Sequence, residues 1–101
     1  MSELVRICSR SELPPEGEAR ELDYHGRLLC VARDRGRVIL MDDVCPHRGG
    51  PLGQGLIEDG KLICPWHAWA FDLKTGKATH SQDRVQIFEV EVKGDDVFGR
   101  L

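Results

Sequence analysis

Apolar positions come in short runs of Val, Ile, Leu and Phe, separated by residue–glycine pairs. His25-Gly26, Arg35-Gly36, Asp59-Gly60, Thr75-Gly76 and Lys93-Gly94-Asp95 each stand between two such runs. Glycine accepts a positive φ without steric cost, so these pairs predict hairpin turns. Leu28–Ala32 and Val38–Met41 are nearly continuously apolar, the mark of strands buried on both faces. Phe88, Val90 and Val92 alternate with Glu89, Glu91 and Lys93, as in a strand with one wet face. Val85 and Ile87 have the opposite parity, which predicts a bulge or turn between Ile87 and Phe88. Pro14-Pro15-Glu16-Gly17 is a loop, and Ser11-Glu12-Leu13 starts one short turn. No stretch carries a helical stripe. The expected fold class is all-β.

Two stretches break the rhythm. Asp43 to Gly55 holds Cys45, Pro46, His47, Pro51 and four glycines. Cys64 to Trp69 holds Pro65, His67 and two tryptophans. Both read as loops. The hairpin Leu56–Ile63, turning at Asp59-Gly60, joins them and should bring them side by side.

Together the loops supply Cys45-x-His47 and, after sixteen further residues, Cys64-x-x-His67. Two thiolates and two imidazoles make a four-ligand set. Zinc takes Cys2His2 tetrahedrally, and a Rieske centre takes two Cys on one iron and two His on the other. Zinc sites usually pair Cys with Cys and His with His across two to four residues. Here each loop gives one Cys and one His, and a single residue separates Cys45 from His47. That suits two neighbouring irons better than one ion. Glycines at 49, 50, 53 and 55 let backbone N–H groups approach sulfur. A structural zinc module remains the competing reading.

The segments Cys45-Pro46-His47-Arg48-Gly49-Gly50-Pro51-Leu52 and Cys64-Pro65-Trp66-His67-Ala68-Trp69 resemble the two cluster-binding boxes of Rieske-type ferredoxins. Phe71-Asp72-Leu73-Lys74-Thr75-Gly76-Lys77 is similar to the segment just after the second box in that family. The resemblance implies a [2Fe–2S] cluster, with Cys45 and Cys64 on the buried iron and His47 and His67 on the outer one. It implies an antiparallel β-sandwich base, 1–42 and 79–101, with a cluster-binding subdomain inserted at about 43–78. All 101 residues then form one Rieske domain. High-potential members add a disulfide between the two loops; Gly50 and Trp66 occupy the matching positions and exclude it. Trp69 and Phe71 stand where those members place hydroxyls near the sulfurs. Both departures point to the soluble, low-potential branch.

The implied role is a one-electron carrier between a flavoprotein reductase and a terminal oxygenase. The alternative within the family is the small subunit of an NAD(P)H-dependent nitrite reductase, bound to a large reductase subunit. A carrier is expected to be a monomer when free. With 101 residues there is no room for a mononuclear iron domain, so no substrate chemistry is expected of the chain alone.

Composition agrees. Fourteen Lys and Arg against seventeen Asp and Glu give a net charge of −3, which argues against nucleic-acid binding and a polybasic membrane surface. Met1 to Arg10 has no export signal, so the expected location is cytoplasmic, where thiols stay reduced. Cys8 and Cys30 lie in apolar strands and read as buried small hydrophobes. His25 and His80 lack partners and read as surface residues, as do the Asp42-Asp43 and Asp95-Asp96 turns. Packing is the expected role of Trp66 and Trp69, with an exposed contact beside the outer iron as the alternative for one of them, and Pro51-Leu52 should cover the cluster. Arg48 is either a partner contact or solvated.

Overall fold

The structure is a computed structural model and describes residues 3–46, 49–66, 68–79 and 81–101. Among the described residues, nine strands form two antiparallel sheets. They are β1 (Leu4–Ser9), β2 (Ala19–Tyr24), β3 (Arg27–Asp34), β4 (Arg37–Asp42), β5 (Leu56–Glu58), β6 (Lys61–Ile63), β7 (Ala70–Asp72), β8 (Ile87–Lys93) and β9 (Asp96–Arg100). Six make one sheet in the order β1-β9-β8-β4-β3-β2, and three make the other in the order β5-β6-β7. The all-β expectation holds. Among the described residues no helix is long and apolar enough to cross a membrane.

The predicted turns form as expected. His25, Arg35 and Asp59 take positive φ, each followed by a positive-φ glycine. That pair of left-handed residues is the tight hairpin turn whose twist matches its strands.

The large sheet is buried on both faces, which explains the continuous apolar runs. Leu29, Val31 and Leu40 point into one core with Ile7, Phe88 and Val97. Cys30, Ala32, Ile39 and Met41 point into a second core with Cys45, Leu62, Cys64 and Phe71. The first core lies inside the sandwich made by the curled sheet. A Cβ on Gly99 of β9 would lie 2.6 Å from the Leu40 side chain of β4, so glycine lets the two halves close. The second core lies between the sheet's outer face and the three-stranded sheet.

The expected bulge at Ile87/Phe88 does not form. Met41 pairs with Ile87 and Leu40 with Phe88 in unbroken register. Val85 and Ile87 serve the second core and Phe88 the first, so both parities are apolar without a register shift. The register shift lies instead in β1, between Arg6 and Cys8. Cys8 and Cys30 are buried, as expected. The expected short turn is a 3-10 turn over Arg10–Glu12.

Candidate metal centre

The two boxes attach at the same open end of the hairpin β5–β6, where Leu56 pairs with Ile63. The connection does bring them side by side. A Cβ on Gly50 would sit 2.9 Å from the Cys64 sulfur and 3.0 Å from the Trp66 ring, so the first box lies against the second. Only glycine fits there.

Each box is closed by its own backbone. In the first, Cys45 N–H donates to Gly50 O at 2.9 Å, and Gly49 N–H donates to Cys45 O at 2.7 Å. Gly49 turns at φ 75, which the second bond requires. In the second, Cys64 N–H donates to Trp69 O at 2.7 Å, and Ala68 takes a left-handed φ of 54 to make the return. Leu52 is fully buried beneath the first box, in the core that holds Cys45 and Cys64.

Cys45 and Cys64 are 2% and 1% exposed and share a hydrogen bond between their side chains. Burial pushes the Cys64 thiol up; the Trp66 backbone N–H donates to its sulfur and works the other way. Burial disfavours a bare thiolate, and a bound cation removes that penalty. The donor set therefore fits a metal group: two soft sulfurs together, an N–H aimed at one of them, and a glycine where any side chain would intrude. His47 and His67, the other two expected ligands, lie outside the described residues, as do Arg48 and His80.

Sequence reasoning missed one residue of the site. Asp43 was expected in a solvated turn, but it is 2% exposed. Its carboxylate oxygen accepts from Gly53 N–H at 2.7 Å, and its carbonyl accepts from Leu52 N–H at 2.7 Å. Its side chain also meets Glu21 of β2, whose other contact is Gln54 Nε2 at 2.9 Å. Burial, then the hydrogen bond with Glu21, pushes Asp43 up; the same hydrogen bond holds Glu21 below its ordinary value. Of the two carboxyls, Asp43 is therefore the one that takes up a proton first as pH falls. The reason for burial is the loop itself: Gly53 lies flat on β2, where a Cβ would meet Glu21 N at 2.6 Å, and its N–H needs an acceptor indoors. The only sequence signal was an acid just ahead of a glycine-rich ligand loop. Asp43→Ala is expected to cost about 2–3 kcal/mol by orphaning that N–H, read as a fall in melting temperature.

The tryptophans divide. Trp69 packs on the core beside Phe71, as expected, with ring centroids 6.4 Å apart. Trp66 does not bury; it is 49% exposed because its ring lies across Gly50, outside the core. Val44, 56% exposed, stands just ahead of Cys45 on the first box.

The Rieske [2Fe-2S] domain family matches residues 3–91. The chain is 33% identical over 101 residues to the 3-phenylpropionate/cinnamic acid dioxygenase ferredoxin subunit of Photorhabdus laumondii, covering 97% of this chain and 93% of that protein. It is 28% identical over 96 residues to human apoptosis-inducing factor 3, covering 93% of this chain but only 16% of that protein. Among solved structures it is similar to the ferredoxin of carbazole 1,9a-dioxygenase from Nocardioides aromaticivorans, with a TM-score of 0.83, 27% identity and 98% of each chain covered. Family membership over most of the chain, with two buried cysteines meeting at the boxes, makes the cofactor a [2Fe–2S] cluster and leaves no place for the zinc reading. The chain belongs to the Rieske [2Fe–2S] domain family.

Proposed function

We propose that this chain is a one-electron carrier, taking an electron from a flavoprotein reductase and delivering it to a terminal oxygenase in the cytoplasm. The observation that carries the reading is the meeting of Cys45 and Cys64 in the core of a chain that matches Rieske ferredoxins along nearly its whole length. The bound cluster supplies a one-electron couple. Cys45 and Cys64 would hold one iron of the cluster, and His47 and His67 the other. The protein's part is to bury the thiolates, aim the Trp66 N–H at sulfur and keep the boxes pressed together. Residues 43–78 form the cluster-binding subdomain, and 1–42 with 79–101 the base; strands of the large sheet end at Asp42 and resume at Ile87, which supports that division. Similarity to a dioxygenase ferredoxin subunit over nearly its full length supports the oxygenase as acceptor.

The test is the EPR spectrum of the dithionite-reduced protein, with iron and acid-labile sulfide assayed on the same sample. The expected result is a rhombic signal of low average g, with two irons and two sulfides for each chain. One zinc and no sulfide overturns the reading. Phe71 is fully buried and brings no hydroxyl, and neither does the indole of Trp69. Fewer donors to sulfur stabilise the reduced cluster less, so voltammetry should place the potential at about −150 mV, the low end of the Rieske range.

A further inference from the structure

Charge is unevenly placed on this chain. Residues 60–84 hold Lys61, Lys74, Lys77 and Arg84 against Asp72 and Asp83, while the rest holds ten cations against fifteen acids. A local charge of +2 therefore sits within a chain of net −3. Among the described residues the ion pairs join Arg6 to Asp96, Arg27 to Asp42, Lys93 to Glu91 and Arg100 to Glu89, all on the large sheet. Neither Lys77 nor Arg84 has an ion pair there. The nearby Asp72 carboxylate is turned to the backbone N–H groups of Lys74 and Thr75.

These two cations line a preformed depression. Lys77 and Arg84 face each other across an isolated bridge. Two open grooves, of about 520 and 400 Å³, meet at Arg84; Lys77, Ser81 and Gln82 line the first, and Thr75 and Gln86 the second. The walls are fixed by Val85 N–H to Gly76 O and Ala78 N–H to Asp83 O, both 2.9 Å. The site also flanks the second box. Thr79 N–H donates to Ala70 O at 3.0 Å, and Ala70 opens β7, the strand that leaves that box.

We propose that this groove docks an acidic, Asp- and Glu-rich segment of the protein that exchanges electrons with the chain. That the docked protein is a redox partner rests on the carrier reading; the capture of an acidic segment does not. Two cations facing each other across a single β-bridge, among hydroxyl and amide donors, complement carboxylates spaced along a peptide. The acidic remainder of the surface repels a general polyanion and orients an acidic partner towards this one face. Binding is weak and falls with salt.

The experiment is calorimetric titration of the cluster-loaded protein with an oligoglutamate peptide at low ionic strength. Lys77→Glu/Arg84→Glu is expected to weaken binding about tenfold, and Arg6→Glu/Lys93→Glu, with the same change in net charge, less than about twofold. Arg84→Gln gives the same direction should the reversal not fold. No binding by the unmodified protein, equal losses in both double variants, or complete displacement by inorganic phosphate at matched ionic strength overturns the proposal. EPR of the same samples separates the two readings: a missing Rieske signal in the unmodified protein defeats the carrier reading, while the peptide affinities still decide the groove.

Discussion

Cys64→Ser is expected to give a colourless protein with no EPR signal after reduction, whereas Cys30→Ser keeps both. The two cysteines share one core, 1% and 0% exposed. Burial alone therefore does not separate them; surroundings do. Cys64 meets Cys45, receives the Trp66 N–H and faces a glycine that leaves room for a bound group. Cys30 lies mid-strand on β3, paired with Glu21 and Met41. Its thiol is pushed far up, first by burial and then by the Asp43 and Glu21 carboxyls, so it stays protonated. A serine at 64 offers a hard hydroxyl, far less acidic than a thiol, in place of a soft thiolate. A serine at 30 only puts a hydroxyl into apolar surroundings, a cost of about 1–2 kcal/mol. Visible absorbance, iron and sulfide content and a thermal melt on both variants make the comparison. A folded Cys30→Ser protein without its cluster, or a Cys64→Ser protein with one, contradicts the proposed ligand set.

The same contrast shows how far the chain could be read without coordinates. Hairpins were legible because each turn carries a glycine at a position that takes positive φ. β3 and β4 were legible because strands covered on both faces leave no polar alternation. β2 was legible only through its turn: Ala19–Tyr24 is an edge strand with charges at 20, 21 and 23, and among its residues only Leu22 and Tyr24 are large enough to signal a core. β7 was hidden because three residues are too few to show a period, and its Phe71 read as part of a family tail. The reading at Ile87/Phe88 failed for a different reason. Alternation assumes one dry face, and there the sheet has two.

At the site, the cysteine positions were legible from chemistry and spacing, since ligand types are fixed by the metal. Asp43 and Glu21 were not, because they are 22 residues apart and meet only when the first box folds back on β2. A tertiary hydrogen bond leaves no period and no motif. Trp66 and Trp69 likewise look alike in sequence, three residues apart. Only the packing of Gly50 decides which of them stays outside. The charge on Lys77 and Arg84 was visible from the start, but the placement of the nearby carboxylates was not.

Gly55→Ala is expected to damage stability and cluster loading together, and Gly60→Ala stability alone. Gly55 joins the first box to β5, with an ordinary φ of −81, so any residue could adopt its backbone conformation. Space is what forbids it. A Cβ there would lie 2.2 Å from Ile63 O and 3.1 Å from Leu52 O, and both are backbone atoms that no rotamer change can move aside. Relief requires the start of β5 to part from the end of β6, at the pairing of Leu56 with Ile63 that precedes Cys64 by one residue. The two boxes then separate, and with them Cys45 and Cys64. The expected cost is about 3 kcal/mol, the range for forcing an extra methyl into packed structure. Gly60, at the other end of the same hairpin, has φ 75 and open space around its would-be Cβ. Alanine there costs about 1 kcal/mol of backbone strain and leaves the boxes in place. The measurement is iron per chain alongside a denaturant melt for both variants. Full iron loading in a destabilised Gly55→Ala protein means the hairpin does not set the spacing of the boxes. Loss of iron in Gly60→Ala means that any loosening of the hairpin suffices, and that the close approach at Gly55 has no special part in holding the thiolates together.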